Sequence, residues 1–328
     1  MTLASAIGGL APARGRSAAA KIAFAAYPGE TPIIDGMGVD RGNGIVVGSG
    51  SHDVTISGCE AHHFRGFGYD VTCEAGSECY NGVFRDCTAH TASDPEQNVD
   101  GFALGHRYTR DFRFERCTTY GVYDGFDISG RNTTLDRCVA RNCRNGGFKL
   151  WQSNIVLNNC LAHDNQQTNV ELDWDDAVGP TMGTLLANCT FVNASVFNVV
   201  VENGASELRM DNTIVGGGDN IGLCFLAGRA SAYSGDNNLF HNDNPNRMIV
   251  VFDTDREYAT SDLASWRADE GEDRLSTAIA SLASVFVNLD GDDYHLAAGS
   301  PAIDAANCGR TRNAGCARRV CGLESTSE

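Results

Sequence analysis

Short apolar segments rich in Val, Ile and Phe recur along most of the chain, and Gly, Asn, Asp and Thr punctuate them. Segments of this length and composition are typical of short β-strands joined by turns. From about Lys21 the order of residues predicts a strand, a Pro-Gly turn and a second short strand. The pattern therefore predicts an all-β protein.

A self-similar unit repeats after this entry segment, and a Cys or Asn that follows a pair of apolar residues marks it. Successive markers lie 28, 30, 21, 22, 29, 23 and 26 residues apart. This spacing fits one coil of several short strands with loops of varying length. Each unit has an inward apolar row that one coil cannot bury alone, so we predict stacked coils of a single-stranded parallel β-helix, or β-solenoid. The markers are Cys59, Cys87, Cys117, Cys138, Cys160, Cys189, Asn212 and Asn238.

The chain divides into four predicted stretches. Residues 1–26 are a poorly defined or truncated N-terminal segment, 27–260 are coils, 261–308 close the last coil's exposed strand edges, and 309–328 are a tail. Within the closing segment, Asp262 to Asp269 is predicted as a short helix or turn. Gly, Pro and Arg interrupt the first stretch, so it is a poor signal peptide and the natural start is expected upstream.

The marker cysteines are expected to form a buried ladder of small apolar side chains, since ligands strung along the axis cannot gather around one metal ion. Cys73 and Cys79 flank a Gly-containing loop and are candidates for a local disulfide. Two of the three C-terminal cysteines, Cys308, Cys316 and Cys321, could pair likewise. Because the total of 13 is odd, at least one cysteine stays unpaired or bonds another chain.

The formal net charge of −17 makes nucleic acid an unfavourable partner. An acidic substrate needs a bridging cation or a local basic patch. No apolar stretch is long enough to cross a membrane. The hydrophobic content of 42% is sufficient for a real core.

Three windows near the middle share a Gly-Phe-x-aliphatic core: Asn98 to Leu104, Tyr123 to Ile128 and Asn145 to Leu150. Superposing them places Asp100 above Asp124, at the turn that enters each strand. One phase of the repeat then forms a column across five successive coils. The column is Ala103, Asp127, Lys149, Glu171 and Val200.

Alternate residues of a strand share a face, so Asp127, Lys149 and Glu171 should point outward if the Phe and aliphatic positions point inward. Ser129, Trp151 and Asp173 lie two residues further on the same face. A tryptophan ring beside carboxylates suits a sugar-binding groove.

Asp100, Asp124 and Asp127 could converge as oxygen ligands for a hard cation such as calcium. Alternatively, turn aspartates of this kind accept hydrogen bonds from backbone amides. Lys149 also has two interpretations. It is either one rung of a surface charge ladder or, close to a divalent cation, a candidate base. The sequence leaves the direction of its pKa shift open.

The motifs Asn-x-Asp-Gly-Phe, Asp-Gly-Phe-Asp and Asn-Gly-Gly-Phe-Lys-Leu of the three windows resemble successive coils of the family 9 polysaccharide lyases, which are pectate lyases. The resemblance implies a right-handed parallel β-helix, calcium bound by Asp100, Asp124 and Asp127, and Lys149 as the base. It covers residues 55 to 205 well. The family usually has two adjacent aspartates in the second window, and Tyr123 stands where the first would be.

The resemblance implies calcium-assisted β-elimination on a 4-linked uronic acid polymer, with pectate favoured and alginate or a glycosaminoglycan open. Trp151, Glu171 and Asp173 are then candidate substrate-binding residues, and a secreted monomer acting on an acidic polysaccharide is expected. One alternative is a glycoside hydrolase with paired carboxylates drawn from Asp124, Asp127 and Glu171, or from the nearby Asp173, Asp175 and Asp176. The other is a non-catalytic carbohydrate-binding β-helix.

Overall fold

A computed structural model shows three long sheets wound from successive short strands. It describes residues 2–4, 21–38, 42–105, 107–173, 182–202, 205, 207–218, 220–226 and 230–303. Residues 304–328, which include Cys308, Cys316 and Cys321 and the predicted tail, lie outside this description.

Most coils contribute one strand to each of the three sheets, as predicted for a parallel β-helix, and Arg256–Tyr258 pairs antiparallel at the end of the second sheet. In chain order the first sheet consists of Thr2–Ala4, Ile33–Asp35, Glu60–His62, Thr88–His90, Thr118–Tyr120, Val139–Arg141, Leu161–His163, Thr190–Val192, Ile214–Gly216, Leu239–Phe240 and Thr277–Ala278. The second sheet consists of Ile45–Val47, Tyr69–Thr72, Phe102–Gly105, Phe126–Ile128, Gly146–Leu150, Thr168–Leu172, Phe197–Val201, Ile221–Phe225, Ile249–Val251 and Arg256–Tyr258. The third sheet consists of Ile22–Ala25, Val54–Ser57, Val83–Arg85, Arg113–Glu115, Thr134–Asp136, Val156–Asn158, Leu185–Ala187, Arg209–Asp211 and Ser234–Asp236.

The remaining elements lie outside the three long sheets. Cys79–Tyr80 pairs in parallel with Thr109–Arg110, and Phe286–Asn288 pairs antiparallel with Asp293–Leu296. The described α-helix is Leu263–Glu270, within one residue of the predicted helix. Short 3₁₀ turns cover Ala230–Ala232, Phe252–Thr254, Thr260–Asp262, Leu282–Ser284 and Leu289–Gly291. Among the described residues, no helix has the length and apolar character needed to cross a bilayer.

The sharp corner between the third and first sheets is made by a single left-handed residue in front of each marker cysteine. Asp86 has a φ of 52°, Asn159 of 53° and Asn188 of 56°. Short polar side chains tolerate this conformation better than apolar ones do, and Arg116 and Arg137 adopt it at two further corners. The cysteine that follows points inward, and the six marker cysteines are all buried, as predicted.

An aromatic ladder fills the core behind the second sheet. The ring centroids of Tyr69 and Phe102 lie 4.6 Å apart, those of Phe102 and Phe126 4.8 Å, and those of Phe126 and Phe148 5.0 Å. Stacked contacts of this kind add to the stabilisation from burial. The Phe of each Gly-Phe-x-aliphatic window therefore points inward, as the pattern predicts.

The glycine of each window is required by the close approach of the next coil. A Cβ at Gly101 would lie 2.7 Å from the carbonyl oxygen of Gly125, and one at Gly125 would lie 2.6 Å from that of Gly147. No real Cβ tolerates these distances. The windows are thus fixed in one register.

The predicted disulfide between Cys73 and Cys79 is present. Helix Leu263–Glu270 covers the end of the core, because its buried Trp266 packs against Phe225 and Tyr258.

The later part of the closing segment lies elsewhere than expected. Leu282, Phe286 and Tyr294 pack along the outer face of the first sheet, in one apolar cluster with Leu161 and Ile214. The outward positions of these late strands are apolar, so they bind the segment along the side of the stack instead of across its end.

Candidate functional site

The predicted column of outward residues is present in the second sheet. Ala103 pairs with Asp127, Asp127 with Lys149, and Lys149 with Glu171, which in turn pairs with Val200. Parallel neighbours in register place these side chains directly over one another. The Gly-Phe-x-aliphatic alignment thus gave the correct phase for all five coils.

Asp100 and Asp124 lie immediately before the strands, and both are fully buried. The backbone N–H of Asp124 donates to Oδ1 of Asp100 over 3.2 Å. Oδ1 of Asp124 accepts from the backbone N–H of Gly146 at 2.7 Å and from Nδ2 of Asn145 at 2.8 Å. One oxygen of each carboxylate therefore anchors the next coil, as the amide-binding alternative predicts.

The second oxygens of Asp100 and Asp124, and one oxygen of the neighbouring Asp127, do not hold the next coil. Oδ2 of Asp100, Oδ2 of Asp124 and Oδ1 of Asp127 are buried and accept no hydrogen bond. Burial and repulsion between the three carboxylates raise the pKa of Asp100, and the pKa of Asp127 rises to about 7 through burial and the charge of Asp124. We call Asp100, Asp124 and Asp127 the upstream trio. Its unsatisfied oxygens and mutual repulsion are what a bound cation relieves.

Lys149 lies between acidic residues of the adjoining coils, and its side chain is only 17% exposed. Its Nζ lies 3.5 Å from Oδ2 of Asp124 and 4.7 Å from the ring centroid of Trp151. Burial lowers the pKa of Lys149, but the charges of Asp124 and Glu171 and of the other nearby carboxylates outweigh burial and raise it. The direction that the sequence left open is therefore upward, and the ammonium is the stable form in the absence of a cation.

A second acidic group lies on the other side of Lys149, where the strands end. Glu171, Asp173 and Glu202 offer carboxylate oxygens that all lie within 4.8 Å of one another. We call them the downstream trio. Burial and the charges of other carboxylates raise the pKa of Glu171 to about 8, although Lys149 opposes this shift. Within the described part of the chain, two other groups share this close spacing, and the upstream trio is not one of them.

Two residues of this face were missed by the sequence reasoning. Asp70 pairs with Ala103 in the same column and accepts from Nδ2 of Asn43 at 2.6 Å and from Oγ1 of Thr72 at 2.7 Å. Its signal was present, because Gly-Tyr-Asp-Val at residues 68–71 is the same window with Tyr in place of Phe.

Glu202 is the second residue that was missed. It lies two positions after Val200, as Asp173 lies two positions after Glu171. Counting two positions on from the column residue of the next coil, Val200, therefore gives its position.

The other predicted positions are also located. Trp151 follows its strand directly and is half-buried, and its backbone N–H donates to the carbonyl of Ile128 at 2.9 Å. Tyr123, which replaces the expected aspartate, is half-buried as well. Asp175 and Asp176, considered for the hydrolase alternative, lie outside the described residues.

Comparison with known proteins agrees with this architecture. Residues 97–244 match a family model described as a right handed beta helix region. No curated protein sequence is significantly similar to the chain. The pectate lyase Pel9A has a similar solved structure, with 16% sequence identity and a TM-score of 0.65 over 93% of this chain and 80% of that one.

Two further solved structures show weaker similarity. One is the A-module of the mannuronan C-5 epimerase AlgE6 of Azotobacter vinelandii, with 15% identity, a TM-score of 0.45, and coverage of 68% of this chain and 71% of that one. The other is the tailspike gp49 of Acinetobacter baumannii bacteriophage Fri1, a capsular polysaccharide depolymerase, with 16% identity, a TM-score of 0.45, and coverage of 70% and 45%.

The protein is therefore a right-handed parallel β-helix of the pectate-lyase-like type. The predicted fold and the predicted structural resemblance are confirmed.

Proposed function

We propose that the protein is a polysaccharide lyase that cleaves a 4-linked uronic acid polymer, with pectate as the favoured substrate, and that Lys149 is its base. The observation that carries this proposal is the placement of Lys149. It is a largely buried amine beside the fully buried carboxylates of Asp100 and Asp124 and the half-buried Asp127, on the outward face of a fold shared with a pectate lyase. If Lys149 only formed ion pairs along a surface row of charges, its amine would not need to be buried. The neighbouring carboxylates would not need oxygens that lack a hydrogen bond.

Calcium is the cofactor that we assign to this site. Asp100, Asp124 and Asp127 would hold it, since each has a buried oxygen without a hydrogen bond and all three are hard oxygen ligands. Bound calcium would neutralise the substrate carboxylate and make the proton on C5 more acidic.

Lys149 must be neutral to accept that proton. Of the four carboxylates that raise its pKa, Asp124, Asp127 and Asp100 are proposed to bind the cation, and Glu171 is not. Once the cation neutralises those three, burial remains and favours the neutral amine, since Glu171 keeps its proton at neutral pH. Lys149 then removes the C5 proton and the C–H electron pair forms the C4–C5 double bond. The C4–O bond breaks with its electron pair on the oxygen of the departing sugar chain, which takes up a proton from solvent, and Lys149 releases its own proton to solvent. No water is consumed.

Trp151, Glu171 and Asp173 are proposed to contact the polymer. The ring of Trp151 offers a flat apolar surface to a sugar. Glu171 keeps its proton at neutral pH because its pKa is about 8, so it can donate a hydrogen bond to an acidic substrate without repelling it. A polymer of this kind lies outside cells, so we also propose that the protein is secreted.

The test is product formation on a panel of uronic acid polymers, with and without a calcium chelator. Elimination produces an unsaturated uronide that absorbs in the ultraviolet, and the absorbance should rise only without the chelator. New reducing ends without that absorbance would identify a glycoside hydrolase instead. Binding without any turnover would identify a carbohydrate-binding protein.

A further inference from the structure

A second group of ligand atoms lies on a different sheet, at the N-terminal end of the coil stack. Asp35 ends the first-sheet strand Ile33–Asp35 and pairs in register with His62 of the next coil. His63 follows directly and has a φ of 53°, in the left-handed region. Consecutive strand residues point to opposite faces, but this turn brings both imidazole rings to the side of Asp35.

Three donor atoms converge at this point. Nδ1 of His62 lies 2.7 Å from Nδ1 of His63 and 3.4 Å from Oδ1 of Asp35, and Nδ1 of His63 lies 3.1 Å from the same oxygen. Ligand atoms around a tetrahedral zinc ion lie about 3.3 Å apart, given bond lengths of about 2.0–2.1 Å. Two of the three distances, 3.1 and 3.4 Å, are close to this value, and the distance of 2.7 Å between the two nitrogens is shorter.

Hydrogen bonding alone cannot satisfy this triangle. A hydrogen bond needs one donor and one acceptor, and each imidazole Nδ1 presents either a proton or a lone pair. Among three mutually contacting atoms, at least two must then present the same kind of group to each other. If both histidines donate to Asp35, their two N–H groups face each other across 2.7 Å. A central cation accepts all three lone pairs at once and removes the conflict.

The surroundings hold the three ligands in place. The backbone N–H of Met37 donates to Oδ1 of Asp35 at 2.9 Å, and the N–H of His63 donates to the carbonyl of Thr91 at 2.9 Å. Nε2 of His62 lies 3.8 Å from Oε1 of Glu60, beyond hydrogen-bond distance, and that oxygen lies 3.0 Å from Nε2 of His90.

We propose that Asp35, His62 and His63 bind one divalent transition metal ion, for which Zn²⁺ is the best match. Two imidazoles and one carboxylate are borderline ligands that suit zinc and neighbouring metals better than calcium. The site would join the coil of Asp35 to the following coil. Its contribution would therefore be to fasten the N-terminal end of the stack.

The experiment is a titration of the full chain, stripped of metal by a chelator, with Zn²⁺ alone. Calorimetry should show one zinc ion bound per chain through this site. His63→Ala should weaken the affinity by at least the ~10–100-fold that loss of a supporting partner causes at metal sites. His52→Ala is the matched control, because His52 contacts a single carboxylate, Asp53, at 2.9 Å. It should bind zinc like the unchanged chain.

Two further measurements decide the question if His63→Ala does not fold. Asp35→Asn keeps the shape of the side chain and should also weaken zinc binding. In the unchanged chain, the NMR signals of the His62 and His63 rings should shift most on zinc addition, and those of His90, whose ring lies 5.2 Å from that of His62, should shift less. The signals of His52, His241 and His295 should not shift. Unchanged affinity in the folded variants, or shifts confined to other histidines, would overturn the proposal.

Discussion

The two acidic trios on either side of Lys149 have the same formal charge but are built differently. In the upstream trio, backbone amides of the following coil hold two of the carboxylates, each through one oxygen. All three residues have a buried oxygen that accepts no hydrogen bond, and that of Asp124 is ion-paired with Lys149. In the downstream trio, the carboxylates lie at strand ends and approach one another within 4.8 Å. Lys149 contacts the upstream trio directly, at 3.5 Å from Asp124. The difference shows that proximity of carboxylates and fixation by the backbone are separate properties, and the proposed lyase depends on the second.

Replacing Lys149 should have the largest effect on activity. Lys149→Ala removes the proposed base, and loss of a general base typically costs about 10²–10⁴-fold in rate. The rate of unsaturated product formation measures this. Lys21→Ala is the matched control, since Lys21 is exposed and is the only other lysine in the chain. Equal loss in both variants, or full activity in Lys149→Ala, would contradict the assignment of the base.

Neutral substitutions in the two trios should separate them by their effect on calcium. Asp127→Asn removes one proposed ligand charge and should weaken calcium binding roughly tenfold or more, because ligand charge sets the affinity of calcium sites. Glu202→Gln should leave that affinity nearly unchanged. Calorimetry with calcium measures both, and circular dichroism confirms that each variant folds. The opposite ranking would move the cation to the downstream trio.

The stability of the cation-free protein should fall as pH rises from about 4.5 to 8. The pKa of Glu171 is raised to about 8 and that of Asp127 to about 7, both above their ordinary values of 4.5 and 3.8. In this window the folded chain retains protons that the unfolded chain has released, so unfolding becomes more favourable as pH rises. The melting temperature at pH 5 should therefore exceed that at pH 8.

Glu171→Gln tests the source of this slope. The amide cannot ionise, so the variant should lose less stability than the unchanged chain between the two pH values. Glu30→Gln, at an exposed position, should keep the full slope. A slope that is the same in all three proteins would show that Glu171 does not carry it.

Much of the fold could be predicted from the sequence because equivalent positions of successive repeats pair with one another. Aligning the repeats therefore also gives the register of the strands. Once the three Gly-Phe windows are superposed, the order of Asp127, Lys149 and Glu171 across adjacent coils follows without further information. Glu202 lies two positions after Val200, so the same phase also gives its position. The position of the late closing segment escaped because outward apolar residues such as Leu161 look the same in sequence as inward ones.

The properties of the site were harder to predict than its position. The pKa of Lys149 is set by several carboxylates at distances that no spacing rule provides, and burial opposes them. The grouping of His62 and His63 with Asp35 depends on one left-handed backbone angle. Both properties depend on distances and angles in the folded chain. The sequence therefore identified the residues but not the strength or direction of the interactions between them.

The smallest expected effect concerns Tyr123, where the resemblance to the family 9 lyases implies an aspartate. Its backbone N–H donates to the carbonyl of Val99 at 2.9 Å and its own carbonyl accepts from Asn145 at 2.9 Å, so a substitution should change the side chain without moving the chain. Tyr123→Asp adds a charged oxygen beside the upstream trio and should tighten calcium binding by a few-fold.

Tyr123→Asn is the control for this last variant, because it adds an amide oxygen of the same shape without the charge. Without calcium, Tyr123→Asp should be the less stable of the two, since it adds a fourth charge to three carboxylates that already repel one another. With calcium the order should reverse. If Tyr123→Asp binds calcium no better than Tyr123→Asn, the ion does not lie next to position 123, and the ligand set carried over from the lyase resemblance is wrong at that point.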